Sequence, residues 1–177
     1  MIKVGSKTAK ETLTVMSELV LPNDTNTLGN LMGGRLMHWM DIAAAMAAMK
    51  HCNCPAVTAS ADNISFTKPI HLGNVLTIEA KVTRAFNSSM EIFLRVHGED
   101  VPTQTKYLSN EAYMTFVALD PSGNAVKVPE LIPESEEEIK HFHGALRRRQ
   151  LRLILGGKMK PQDANELKAL FMETVKS

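Results

Sequence analysis

Apolar positions along the chain follow two rhythms. Between about 34 and 49, Leu36, Met37, Met40, Ile42, Met46 and Met49 surround a run of alanines. They cover nearly the whole circumference of a helix, which predicts one long helix buried on most sides. Before it, residues 10–22 read as extended, with Leu13, Val15, Met16 and Leu19-Val20-Leu21 stopped by Pro22. Residues 22–27 form a turn-rich polar loop. After the helix, four segments carry a period of two, at 57–66, 74–84, 90–96 and 107–119. Asp120-Pro121-Ser122-Gly123-Asn124 is a turn. One buried helix followed by an antiparallel meander predicts an α+β fold with the sheet wrapped around the helix.

The pattern changes after Pro133. Glu134 and Glu136-Glu137-Glu138 open a helix at the end where carboxylates suit the macrodipole. Arg147-Arg148-Arg149 and Arg152 follow about three turns later, Gly156-Gly157 interrupts, and 161–175 reads as a second short helix. The chain divides into a core domain over 10–132 and a helical C-terminal extension over 133–177.

Composition narrows the function. Twenty basic residues against nineteen acidic ones leave a net charge of +1, without the basic excess of a nucleic-acid binder. No apolar run approaches a membrane span. Lysines at 3, 7 and 10 are not followed by the apolar stretch of a secretory signal. Cys52 and Cys54 are one residue apart, poorly placed to bridge each other, and no second pair exists for zinc. His141-Phe142-His143 splays its rings on a helix, so no metal site is expected. These features together suggest a reducing, cytoplasmic setting.

The candidate chemistry lies between Pro22 and Asp41. Asp41 is a carboxylate in an otherwise apolar helix, and burying an ionised carboxylate without a partner is costly. Gly33 and Gly34 fall at the helix start, where unpaired N–H groups and the dipole favour an oxyanion. Gly34 and Asp41 are seven residues apart and share one helix face. A donor for a developing oxyanion and a carboxylate on one face would suit acyl transfer to water.

The stretch Pro22-Asn23-Asp24-Thr25-Asn26, Gly29-Asn30, Gly33-Gly34 and Met40-Asp41 resembles the hotdog-fold acyl-CoA thioesterases, in particular their cytosolic acyl-CoA hydrolase branch. Asp62-Asn63-Ile64-Ser65-Phe66-Thr67-Lys68-Pro69-Ile70 with Gly73, then Asn87-Ser88-Ser89-Met90-Glu91-Ile92, then 113–120, resemble that family's later signatures in order. The resemblance implies a helix enclosed by a curved antiparallel sheet. It also implies a dimer with active sites between subunits, commonly assembled as a trimer of dimers. By position, Asp41 resembles the general base or nucleophile, Asn26 a partner residue from the neighbouring subunit, and Gly34 the oxyanion donor. The implied substrate is acyl-CoA, hydrolysed to free fatty acid and CoA. No further cofactor, metal, nucleic acid or membrane is implied.

CoA phosphates favour cations, hydroxyls and N–H groups. Arg84, Asn87, Ser88 and Ser89, near a turn between two strands, and Lys68 are the candidates to hold them. Two rival readings share the fold. A hydroxyacyl-thioester dehydratase would carry an Asp-x4-His signature, whereas the fifth residue beyond Asp41 is Met46 and beyond Asp24 is Gly29. A non-catalytic acyl-CoA sensor would have no need of Asn26, Gly34 and Asp41 together.

Overall fold

The structure, a computed structural model, describes residues 5–174 apart from Asn63, with side chains to Leu170. Its contacts divide the chain into two compact units, Met1–Ile132 and Pro133–Ser177.

The first unit is organised by α2, Gly33–Cys52. It is preceded by β1 (Ser6–Thr8), the single turn α1 (Ala9–Thr12) and β2 (Thr14–Leu19). It is followed by β3 (Ala56–Asp62), β4 (Val75–Ala85), β5 (Ser89–Asp100), β6 (Thr105–Ala118) and β7 (Glu130–Ile132). Five strands form one antiparallel sheet in the order β2-β4-β5-β6-β3. The short β1 pairs in parallel with β7. α2 meets all five strands, so the sheet curves around it.

Local chemistry explains this arrangement. Along β4 the alternating residues Leu76, Ile78, Ala80 and Val82 are fully buried and face the helix. From α2 they meet Leu36, Trp39, Met40, Ala43, Ala44, Ala47 and Ala48. The alanines have short side chains, which let the strands approach the helix axis closely. Asn53 ends the helix in the left-handed region at φ 54°, donating its N–H to the Met49 carbonyl.

The structure departs from the sequence expectations in several places. α2 is not buried on most sides: Met37, Ile42, Met46 and Met49 stay exposed on the face away from the sheet. Helix periodicity counts apolar positions but does not say what covers each of them. Residues 10–22 are not extended throughout, because Ala9–Thr12 closes a helical turn fastened by Thr8 N–H to Glu11 Oε2 at 2.7 Å. The strand expected to reach residue 66 stops at Asp62, and residues 64–69 are not part of a strand.

Gly98 shows why one interior strand position is a glycine. A Cβ there would lie 2.6 Å from Cζ of Tyr107, its cross-strand partner. The ring crosses that space, and its hydroxyl donates at 2.9 Å to the Pro69 carbonyl, with Asn74 Oδ1 at 3.0 Å. Gly98→Ala is expected to cost about 1–3 kcal/mol through overpacking, read as a lowered denaturation midpoint. It should also loosen the 66–74 segment.

His51, on the last turn of α2, is fully buried, with Nε2 donating to the Pro129 carbonyl at 2.8 Å. Burial lowers its pKa, only partly offset by that carbonyl; Lys7 pushes it the same way and Glu11 opposes. The unfolded chain therefore takes up a proton that the folded chain refuses. Stability should fall as pH drops through the ordinary imidazole value of ~6.5, and level off below the depressed folded value. Thermal midpoints across that range should show the loss, and His51→Gln should flatten it.

The second unit comprises α3 (Glu136–Leu155) and α4 (Asn165–Thr174). A capping box opens α3: Ser135 Oγ accepts from the Glu138 N–H, and Glu138 Oε2 accepts from the Ser135 N–H. Gln150 Oε1 accepts from the Leu167 N–H at 2.9 Å, tying the two helices together.

Candidate active site

Asp41 lies mid-way along α2, half-buried at the boundary between the core face and the exposed Met37–Ile42 face. Its Oδ1 accepts a hydrogen bond from Thr58 Oγ1 at 2.5 Å. Thr58 stands on the edge strand β3, just before a register shift between Thr58 and Ser60. That shift is a bulge of the kind that re-aims side chains beside functional sites. The threonine holds one carboxylate oxygen and leaves the other available as an acceptor. Nothing in the sequence pattern singled out Thr58.

The N-terminus of α2 has no side-chain cap. Met32 O takes the N–H groups of Arg35 and Leu36, leaving those of Gly33 and Gly34 as first-turn donors outside the helical ladder. A Cβ on Gly34 would meet nothing within 4 Å, so space lies open before its backbone. Gly33 differs: a Cβ there would sit 3.3 Å from the Phe66 ring. Asn26 is on the tight loop that precedes the helix. Its Oδ1 accepts from the N–H groups of Leu28 and Asn30, at 2.9 and 3.2 Å. That arrangement turns the amide nitrogen, with its two donors, out of the loop.

Asn26, Asn30, Gly33, Phe66, Lys68 and Ser109 are among the residues lining a cavity of about 280 Å³. Its far wall is pinned to β6. Ser109 Oγ donates to Lys68 O at 2.7 Å, and Thr67 Oγ1 donates to Ser109 O. A register shift opposite Val96 and His97 turns both Ser109 and Asn110 inward.

The structure brings Asn26, Gly34 and Lys68 to one end of the unit, but not every candidate. Arg84, Asn87, Ser88 and Ser89 form the β4–β5 turn, at the other end of β4. Nine residues of strand separate Arg84 from Val75, about 30 Å. Arg84 there lies over the Phe86 ring at 5.8 Å, and the Asn87 and Ser88 carbonyls accept from Val128 and Ala118. The candidates for holding CoA therefore fall at two separate ends of the unit.

Gly34 and Asp41 also stand apart. Seven residues of helix rise about 10 Å, which sets the Gly34 N–H and the Asp41 carboxylate about two turns apart along one helix. The shared face expected from their spacing is present along the continuous helix.

Burial pushes the Cys52 thiol up to about 11, so it is not a thiolate near neutral pH. Among the described residues, no cluster of three or more His, Cys, Asp or Glu is placed to hold a metal. Nor is any described helix long and apolar enough to cross a membrane.

Residues 28–104 match the model of the thioesterase superfamily. The chain is 41% identical over 139 residues to the uncharacterized acyl-CoA thioester hydrolase YkhA of Bacillus subtilis, covering 78% of this chain and 81% of that protein. The chain belongs to the hotdog-fold acyl-CoA thioesterase family. It is an enzyme of the thioester hydrolase class. The match to mouse acyl-coenzyme A thioesterase 11 is 44% identical over 146 residues and takes 82% of this chain, but spans only 24% of that longer protein.

Among solved structures, an apo-hexameric acyl-CoA thioesterase superposes with a TM-score of 0.84 at 37% identity, covering 86% of this chain and 98% of that one. An acyl-CoA hydrolase from Staphylococcus aureus, in complex with butyryl coenzyme A, coenzyme A and coenzyme A disulfide, matches with a TM-score of 0.78 at 32% identity, over 97% and 99% of the two chains. Alanine variants of that hydrolase replace an asparagine, an aspartate and a threonine spaced 15 and 17 residues apart. Asn26, Asp41 and Thr58 are spaced by the same intervals.

Proposed function

We propose that the chain hydrolyses acyl-CoA to free fatty acid and CoA in composite sites. Each site would combine Asn26 and Gly34 of one protomer with Asp41 and Thr58 of its partner. The observation that carries this reading is the Asp41 carboxylate, held by Thr58 yet about 10 Å along the helix from the Gly34 donor. A second copy that brings its own Asp41 to the first copy's helix start removes the gap. The matching spacing of the substituted residues in the Staphylococcus hydrolase supports the residue set. The exposed edge strand β3 and the apolar Met37, Ile42, Met46 and Met49 support pairing through this face. The hexameric neighbour supports a trimer of such dimers.

The thioester oxygen sits at the start of α2, receiving hydrogen bonds from the Gly34 N–H and the Asn26 amide nitrogen. The open Asp41 oxygen takes a proton from a water, whose oxygen bonds to the thioester carbon. Negative charge gathers on the former carbonyl oxygen as that tetrahedral centre forms. As the carbonyl re-forms, the C–S bond breaks, and the proton on Asp41 passes to the departing CoA sulfur. Asn26 is thus a donor to the carbonyl, not an acceptor for the water.

Lys68 at one end, and Arg84, Asn87, Ser88 and Ser89 at the other, are proposed to hold CoA phosphates, the second group acting from a neighbouring subunit. The reaction as drawn uses no cofactor beyond the CoA of its substrate. A cytoplasmic setting fits the two free cysteines.

Thiol release from a panel of acyl-CoAs tests the reading. Hydrolysis supports it. Binding without CoA release would favour a sensor, and reversible hydration of enoyl-CoA would favour a hydratase.

A further inference from the structure

Two donors can share one carbonyl oxygen only if the loop bearing Asn26 keeps a constant relation to the helix bearing Gly34. Neither group supplies that constraint itself: the Asn26 side chain bonds only within its own loop, and Gly34 has no side chain. The constraint comes from Asp24, which the motif contains but gives no role, and Arg35, which follows the glycine pair. Asp24, two residues before Asn26, has a side chain only 6% exposed. Its Oδ1 accepts from Arg35 Nε at 2.8 Å, and its Oδ2 accepts from the Leu21 N–H at 3.0 Å. Its backbone carbonyl accepts from the Met32 N–H at 2.9 Å, closing the base of the loop. Arg35 is the residue after Gly34, and its guanidinium lies over the buried Trp39 ring, 5.1 Å from the centroid.

We infer that Asp24 and Arg35 are positioning residues for hydrolysis, a clamp that fixes the Asn26 amide against the Gly34 N–H. The inference rests on the proposed roles of Asn26 and Gly34. A carboxylate held by a charged donor and a backbone N–H is a stiff tether. Its anchor on the ring of Trp39, one turn further along α2, carries that stiffness into the helix. Neither Asp24 nor Arg35 is among the residues lining the cavity, so the clamp acts through the two donors. Small displacements of such donors cost rate steeply, because they are aimed at the oxyanion and not at the ground-state carbonyl.

The test measures kcat and KM for acyl-CoA hydrolysis by Asp24→Asn, Arg35→Gln and the double variant, each also built on Asn26→Ala. Asp24→Asn keeps the shape but removes the charge, and Arg35→Lys serves as a second, less disruptive break in the pair. Each single variant should lower kcat about tenfold or more with KM within about twofold. The double variant should lose no more than the worse single one. On the Asn26→Ala background the same substitutions should cost little further, because one of the donors they align is already gone.

A purely structural role would lower rates equally on both backgrounds, and that result overturns the inference. So would folded variants, Arg35→Lys included, that keep the parent's kcat. Failure of the underlying reading looks different: the unaltered protein would not release CoA, or Asn26→Ala alone would leave kcat unchanged.

Discussion

Asp41→Asn should lower kcat for acyl-CoA hydrolysis by about 10²–10⁴-fold, the range that a positioned general base contributes, while KM stays near the parent's. The amide keeps the size of the carboxylate and can still pair with Thr58 Oγ1, so folding and substrate binding should survive. What it lacks is the anionic oxygen that takes the proton from water. Thr58→Ala should fall between the two proteins. It frees the carboxylate from its 2.5 Å hydrogen bond without removing the base, so the loss belongs to orientation. Steady-state thiol release, with circular dichroism to confirm the fold, reads both variants. An Asp41→Asn protein that turns over as fast as the parent would remove Asp41 from the mechanism.

How far this site could be read in advance varies with the kind of information each residue carries. Asp41 stands out in the sequence because one charged residue interrupts an apolar helix, and such an interruption needs a reason. Asn26 and Gly34 stand out only through their order within a family motif, since an asparagine in a turn and a glycine at a helix start are common. Thr58 was invisible because its role depends on which helix residue β3 lies against, a matter of tertiary register and not of pattern. The same limit explains the exposed face of α2. Met37, Ile42, Met46 and Met49 satisfy a rule for burial, yet among the described residues of the single chain they stay exposed. Asp24 is a similar case: the family motif contains it without giving it a role, and only its burial against Arg35 separates it from the other polar residues of 22–27.

Mixing two inactive proteins should restore activity if the sites are composite. Asn26→Ala lacks one donor to the thioester oxygen, and Asp41→Asn lacks the base. In a two-fold dimer each protomer contributes Asn26 to one site and Asp41 to the other. A heterodimer of the two variants therefore holds one site with both substitutions and one site with neither. After random exchange of equal amounts, half the dimers are mixed and half the sites in those are native. The mixture should recover about a quarter of the parent's rate per protomer, from parents that are each nearly inactive. The size of the recovery discriminates as well as its presence, because it should vary with the mixing ratio as the product of the two fractions. If Asn26 and Asp41 of the same chain served one site, every site in the mixture would remain defective and no ratio would help. Activity that stays at the level of the two variants after verified subunit exchange would therefore refute the composite site, and would require the Gly34 N–H and the Asp41 carboxylate of one uninterrupted α2, about 10 Å apart in helix rise, to act on one thioester through the intervening water.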